Sequence, residues 1–191
     1  LAALVFLLPL IRLLLMGVTV ENGYGLDNFA GLLYQERTRK AIVNTIIIAV
    51  SSTALAAGCG SGLAFLTAYC NIKRKGVIEF LVLLPFIIPS YIITLSWSSF
   101  FSSRGAFNGF LTSIGLPGVD IYTMGGIILV LGFCNIPIVY VNVVHMLRKI
   151  PRDMEWAARA CGYSQRQAIL KINLVSAAPA IAAGSVLAFL S

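Results

Sequence analysis

Charged side chains are scarce in this 191-residue chain: Asp, Glu, Lys and Arg make up 11% of it, against 59% hydrophobic residues. A soluble domain carries about a quarter of its residues as charges, so this composition excludes one. Acids are scarcer still, seven in all, and none lies deep within an apolar run. That counts against a carrier or channel driven by an ion gradient, the alternative class, because such proteins usually hold intramembrane acids or paired charges. There is a single histidine, and HExxH and GxSxG are both missing, which removes the signatures of an intramembrane protease. Cys59, Cys70, Cys134 and Cys161 show no CxxC spacing, so neither a disulfide framework nor a zinc site is expected. No Gly-x4-Gly-Lys-Ser/Thr occurs, so the chain has no P-loop for ATP, and no catalytic residue, cofactor or metal is expected in it. No Met opens the sequence and its last apolar run is unfinished at Ser191, so both ends are expected to be cut. Leu1–Val18 has no basic n-region or cleavage site and reads as a span rather than a removable signal.

Apolar sequence is abundant. A hydrocarbon core of about 30 Å needs roughly 20 helical residues. Runs of that order cover Leu1–Val18, Ala41–Tyr69, Val77 to Phe101, Met124–Leu147 and the stretch from Ala177 onward. The expected fold is all-α, a polytopic transmembrane bundle forming a single domain over 1–191. Lys73, Arg74, Lys75, Arg148, Lys149, Arg152, Arg159, Arg166 and Lys171 fall between spans two and three or four and five, whereas Arg37, Arg39, Lys40 and Arg104 fall in the opposite loops. The positive-inside rule makes the richer side cytoplasmic, with the N-terminus of the first span on it. Topology and anionic lipid account for the +7 net charge, so nucleic acid is not an expected partner.

Within span two, Gly58-xxx-Gly62 predicts a close helix contact. Span three carries Pro85 and Pro89, then Ser90, Tyr91 and Thr94; two prolines four residues apart kink a helix and suit one beside a pathway. Its hydroxyls either line that pathway or bond back to their own helix. Asn135 and Asn142 share a face of span four and read either as interhelical ties or as a polar lining. His145 reads as an interhelical or solvated group, and Glu79 as an anion favoured by the first-turn helix dipole. The segments 19–40 and 102–123, rich in Gly, Asn and turn formers, read as docking loops on the outer side.

The most informative segment is polar and basic, residues 148–175. Pro151 starts a helix with Asp153 and Glu155 in its first turn, Gly162 stops it, and Ser164 with Gln167 has capping-box spacing for a second helix from Gln165. Ala157, Ala158 and Ala160 leave the first helix thin enough for a partner to approach, and Trp156 supplies an anchor. A helix lying on lipid headgroups is the competing reading. A DNA-reading helix-turn-helix is excluded because its second helix runs straight into span five.

The same segment resembles the EAA loop of ABC importer permeases, with Ala157, Ala158, Gly162, Ile172 and Leu174 in register and Pro179-Ala180-Ile181-Ala182-Ala183-Gly184 like the family's entry into the next span. Trp156 stands at the usual Glu position, with Glu155 one residue earlier, and Val175 replaces the usual Pro. The double-proline span and the Pro179–Gly184 ending look most like ferric-iron-type permeases, with polyamine, thiamine and phosphonate permeases close by. The resemblance implies a bacterial inner-membrane subunit of a type I importer. Its partners would be a cytoplasmic ATPase dimer supplying ATP and Mg, a second permease half and an external solute-binding protein. Asp153, Glu155, Trp156, Ala157, Ala158, Gly162, Ile172 and Leu174 would couple to the ATPase.

Overall fold

The structure is a computed structural model that describes residues 2–20, 23–25 and 27–191. The chain forms two compact units, Leu1–Ile47 and Ile48–Ser191. The first holds helix α1 (Ala2–Val18), a two-residue antiparallel ladder of β1 (Thr19–Val20) with β2 (Gly23–Tyr24), α2 (Asp27–Tyr34) and the start of α3 (Glu36–Tyr69). Segment 19–40 is therefore largely helical rather than a loop. Glu36 opens α3, where the dipole favours an acid, and pairs with Lys40 one turn on at 2.7 Å.

The second unit continues α3 and adds α4 (Lys75–Ile87), α5 (Ser90–Phe100), α6 (Ala106–Ser113), α7 (Met124–Lys149), α8 (Arg152–Ala160), α9 (Gln165–Ala168), a π-helical turn (Ile169–Asn173) and α10 (Leu174–Leu190). Among the described residues three helical stretches are long and apolar enough to cross a bilayer: Glu36–Tyr69, Met124–Lys149 and Ile169–Leu190. The last begins before Ala177, because the π turn and α10 form one rod. The third expected span is not one kinked helix but two, α4 and α5, bent by 107°. Pro89 forces Ile88 before it into an extended conformation (ψ 127°) and itself caps α5, so the ladder cannot continue. In the bend lies an apolar cavity of about 450 Å³, with walls from α3, α4, α5 and α7.

Helix α7 is the centre of packing, burying Val139, Tyr140, Val143 and Val144. Helix α3 buries Ser52, Ala56, Gly60, Ala64 and Thr67, and meets α7 where the Thr67 hydroxyl lies 3.1 Å from that of Tyr140. The close approach is at Gly60, where a Cβ would come within 2.9 Å of the Ile136 carbonyl oxygen. Gly58 and Gly62, expected at a helix seam, face open space instead. Helix α10 brings Gly184 against Val139 and buries Ala177 and Ala188; small residues again let two backbones come close.

Candidate functional site

Helix α7 ends at Lys149, Ile150 and Pro151 are extended, and α8 begins at Arg152 because Pro151 cannot join the preceding ladder. Ten residues later the chain reverses at Gly162, at φ +89°. The Gly162 N–H donates to the Arg159 carbonyl at 3.0 Å and the Tyr163 N–H to the Ala158 carbonyl at 3.1 Å, a Schellman stop that requires the left-handed conformation. The next helix opens with the expected reciprocal cap: the Ser164 N–H donates to Gln167 Oε1 at 2.9 Å, and the Gln167 N–H to Ser164 Oγ at 3.3 Å. Lys171 Nζ lies 5.1 Å from the Tyr163 ring centre and ties the turn to the second helix. The π turn had no sequence signal. It buries Asn173 and carries the chain into α10.

Trp156 is 63% exposed, whereas Ala158 is 8% exposed. Ala157 and Ala160 face outward with Asp153, so the three alanines do not form one thin face as expected: Ala158 is spent on packing inward. Ile172 is half-buried and Leu174 exposed. The side chain of Glu155 lies outside the described residues. A cleft of about 490 Å³ opens beside α8, bordered by Tyr69, Lys75, Arg148, Trp156 and Gln165. Arg148 Nη2 bonds to Glu79 Oε1 at 2.6 Å and Lys75 Nζ stands 3.9 Å from the same oxygen, joining the start of α4 to the end of α7. Because α4 starts at Lys75, Glu79 lies past the first turn, and its role is this ion pairing rather than the expected one of meeting the helix dipole. Only its spacing of four from Lys75 was visible in sequence.

The polar residues proposed for a pathway fall into two separate groups. Thr94 Oγ1 bonds back to the Ser90 carbonyl at 3.0 Å, and Ser90 and Tyr91 are exposed at the start of α5. Asn135 and Asn142 share a face as expected, and that face looks at α10: Asn135 Nδ2 donates to the Ala188 carbonyl at 3.2 Å, and Gly184 packs beside Asn142. Asn142 Nδ2 donates to the Ile138 carbonyl of its own helix at 2.8 Å. Among the described residues no three His, Cys, Asp or Glu side chains are grouped as a metal site would need.

Residues 60–191 match the family described as "Binding-protein-dependent transport system inner membrane component". A Salmonella typhimurium permease protein named for a 2-aminoethylphosphonate transport system, PhnU, is 29% identical over 193 residues, covering 98% of this chain and 68% of the relative. The sulfate transport system permease protein CysT of Escherichia coli is 28% identical over 127 residues, 66% of this chain and 45% of that one. The spermidine/putrescine transport system permease protein PotB of Salmonella typhi is 26% identical over 174 residues, 90% and 60% of the two chains. In three dimensions the chain superimposes on a bacterial ABC transporter involved in the import of alginate with a TM-score of 0.80, at 23% identity, over 97% of this chain and 67% of that one.

Proposed function

Because the chain belongs to the family of binding-protein-dependent transport system inner membrane components, and so is a membrane permease subunit of an ABC importer, we propose that α8 and the turn after it dock a cytoplasmic ATPase dimer. One observation carries this reading: a short helix, stopped at Gly162, followed by a capped turn at Ser164 and set between two membrane-length helices, presents Trp156 outward. A buried aromatic anchor is a common hot spot, and an exposed one held on a fixed backbone costs little ordering entropy when a partner covers it. ATP and Mg belong to the partner. Closure of the ATPases would pull on α8, and through it on α7 and the rod from Ile169 to Leu190, so that different contacts in the two nucleotide states bias the spans. Ser90, Tyr91 and Thr94 are the candidates for lining a pathway, while Asn135 ties α7 to α10 and Asn142 bonds back to its own helix. A second permease half and an external binding protein complete the assembly. The solved alginate transporter also has a structure with an alginate pentasaccharide-bound periplasmic protein.

The relatives named above are called after phosphonate, sulfate and polyamine systems, which share neither charge sign nor size. They give no support to ferric iron, the expectation from the double-proline span. The docking test is mass spectrometry of what co-purifies with the full-length protein from mild detergent, beside a Glu155→Ala/Trp156→Ala variant. The expected result is an ATPase retained by the first and depleted from the second. Equal retention by both would remove α8 as the docking site.

A further inference from the structure

We propose that the cleft between α3, α4, α7 and α8 binds the headgroup of an anionic phospholipid, with the lipid's acyl chain held in the apolar cavity further along α4. The proposal rests on reading this end of the bundle as cytoplasmic. Lys75 and Arg148 border the cleft, and exposed Lys73, Arg74 and Lys149 flank them in the chain. The nearest acid, Glu79, takes one guanidinium nitrogen of Arg148 at 2.6 Å and stands 3.9 Å from Lys75. One carboxylate cannot neutralise two cations, and a guanidinium has five N–H donors, so bonding capacity for a phosphate is left over. Tyr69 and Trp156 on the cleft wall are the aromatic types that settle at the headgroup level. Basic clefts between spans on the cytoplasmic side suit anionic headgroups.

The cavity is the independent observation. Its lining includes Ile78, Val82, Pro85, Trp97 and Phe133. Lys75 borders the cleft while Ile78, one turn along the same face of α4, borders the cavity, with Val82 and Pro85 continuing that face. From Lys75 to Pro85 the helix rises about 15 Å, the depth of one leaflet of hydrocarbon. Charge at one end of a face and an apolar hollow one leaflet deep at the other fit a phospholipid better than a free anion.

The test is native mass spectrometry of the full-length protein in mild detergent, offered phosphatidylglycerol or phosphatidylcholine with identical acyl chains. Phosphatidylglycerol should be retained preferentially, and Lys75→Gln should lower its affinity roughly fivefold. Glu79→Gln should raise it, because the competing carboxylate is gone; a merely structural role for the ion pairs would lower retention in both variants. Equal retention of the two lipids, a fall in both variants, or displacement of phosphatidylglycerol by equimolar inorganic phosphate would overturn the site. Scoring the ATPase in the same samples separates the two readings. Lipid preference without ATPase would sink the docking model alone, and ATPase without lipid preference would sink this one alone.

Discussion

Two short helices in the second unit, α6 and α8, end in the same way and are anchored differently. Gly115 at φ +77° and Gly162 at φ +89° both close Schellman stops: the Leu116 N–H bonds to the Leu111 carbonyl at 2.9 Å, as the Tyr163 N–H bonds to Ala158. Around α6 the polar groups are consumed internally. Asn108, 6% exposed, donates to the carbonyls of Phe101 at 2.7 Å and Val119 at 3.0 Å and accepts from the Val119 N–H at 2.8 Å, fastening segment 102–123 to itself. Around α8 the turn is closed in the same way, and large side chains are exposed at both helices: Phe110, Ile114 and Leu116 around α6, and Met154, Trp156 and Tyr163 around α8. What differs is the anchor: a buried amide fastens α6 to the chain on either side of it, whereas Ala158 is the one buried side chain among those described in α8.

The contrast can be broken from either side. Asn108→Ala should cost most, roughly 3 kcal/mol, because it strands buried backbone groups at Phe101 and Val119; denaturant unfolding in mixed micelles would show it, and an unchanged midpoint would mean that segment 102–123 is held by something else. Gly115→Val and Gly162→Val should each cost about 1–2 kcal/mol of backbone strain, yet with different phenotypes. The first lowers the amount of folded protein, and the second abolishes uptake at normal protein level; normal uptake by the Gly162 variant would count against docking. Ser164→Ala removes one cap bond and should cost about 1 kcal/mol, seen as faster amide exchange over 164–168. Smallest of all, Trp156→Ala should move stability by no more than about 0.5 kcal/mol while weakening ATPase retention. A large loss of stability there would mean that the face is not open.

Local chemistry was readable in the sequence, and tertiary choices were not. The Gly162 stop and the Ser164–Gln167 cap depend on residues within one turn, and both form as expected. In α3, two small-residue stripes repeat every four positions, Ala54-Gly58-Gly62 and Ala56-Gly60-Ala64, and spacing alone cannot choose between them. The second is buried, and its continuation into Ser52 and Thr67, where the other runs into Val50 and Leu66, was the overlooked signal. The two prolines announced a kink but not its size, because 107° depends on what the α4 and α5 faces pack against. Glu79 and Arg148 are 69 residues apart, and nothing local links them.

The π turn at Ile169–Asn173 sets a phase. It winds one residue more than an α-helical path needs between α9 and the face of α10 that carries Ala177, Gly184 and Ala188. Winding the same residues as regular α-helix would swing that face about 100° away from α7. The π turn therefore absorbs one residue of the distance in sequence between Gly162 and Ala177. Losing that one residue would leave the rod seated on its neighbour, whereas keeping the residue and losing the π winding would turn it.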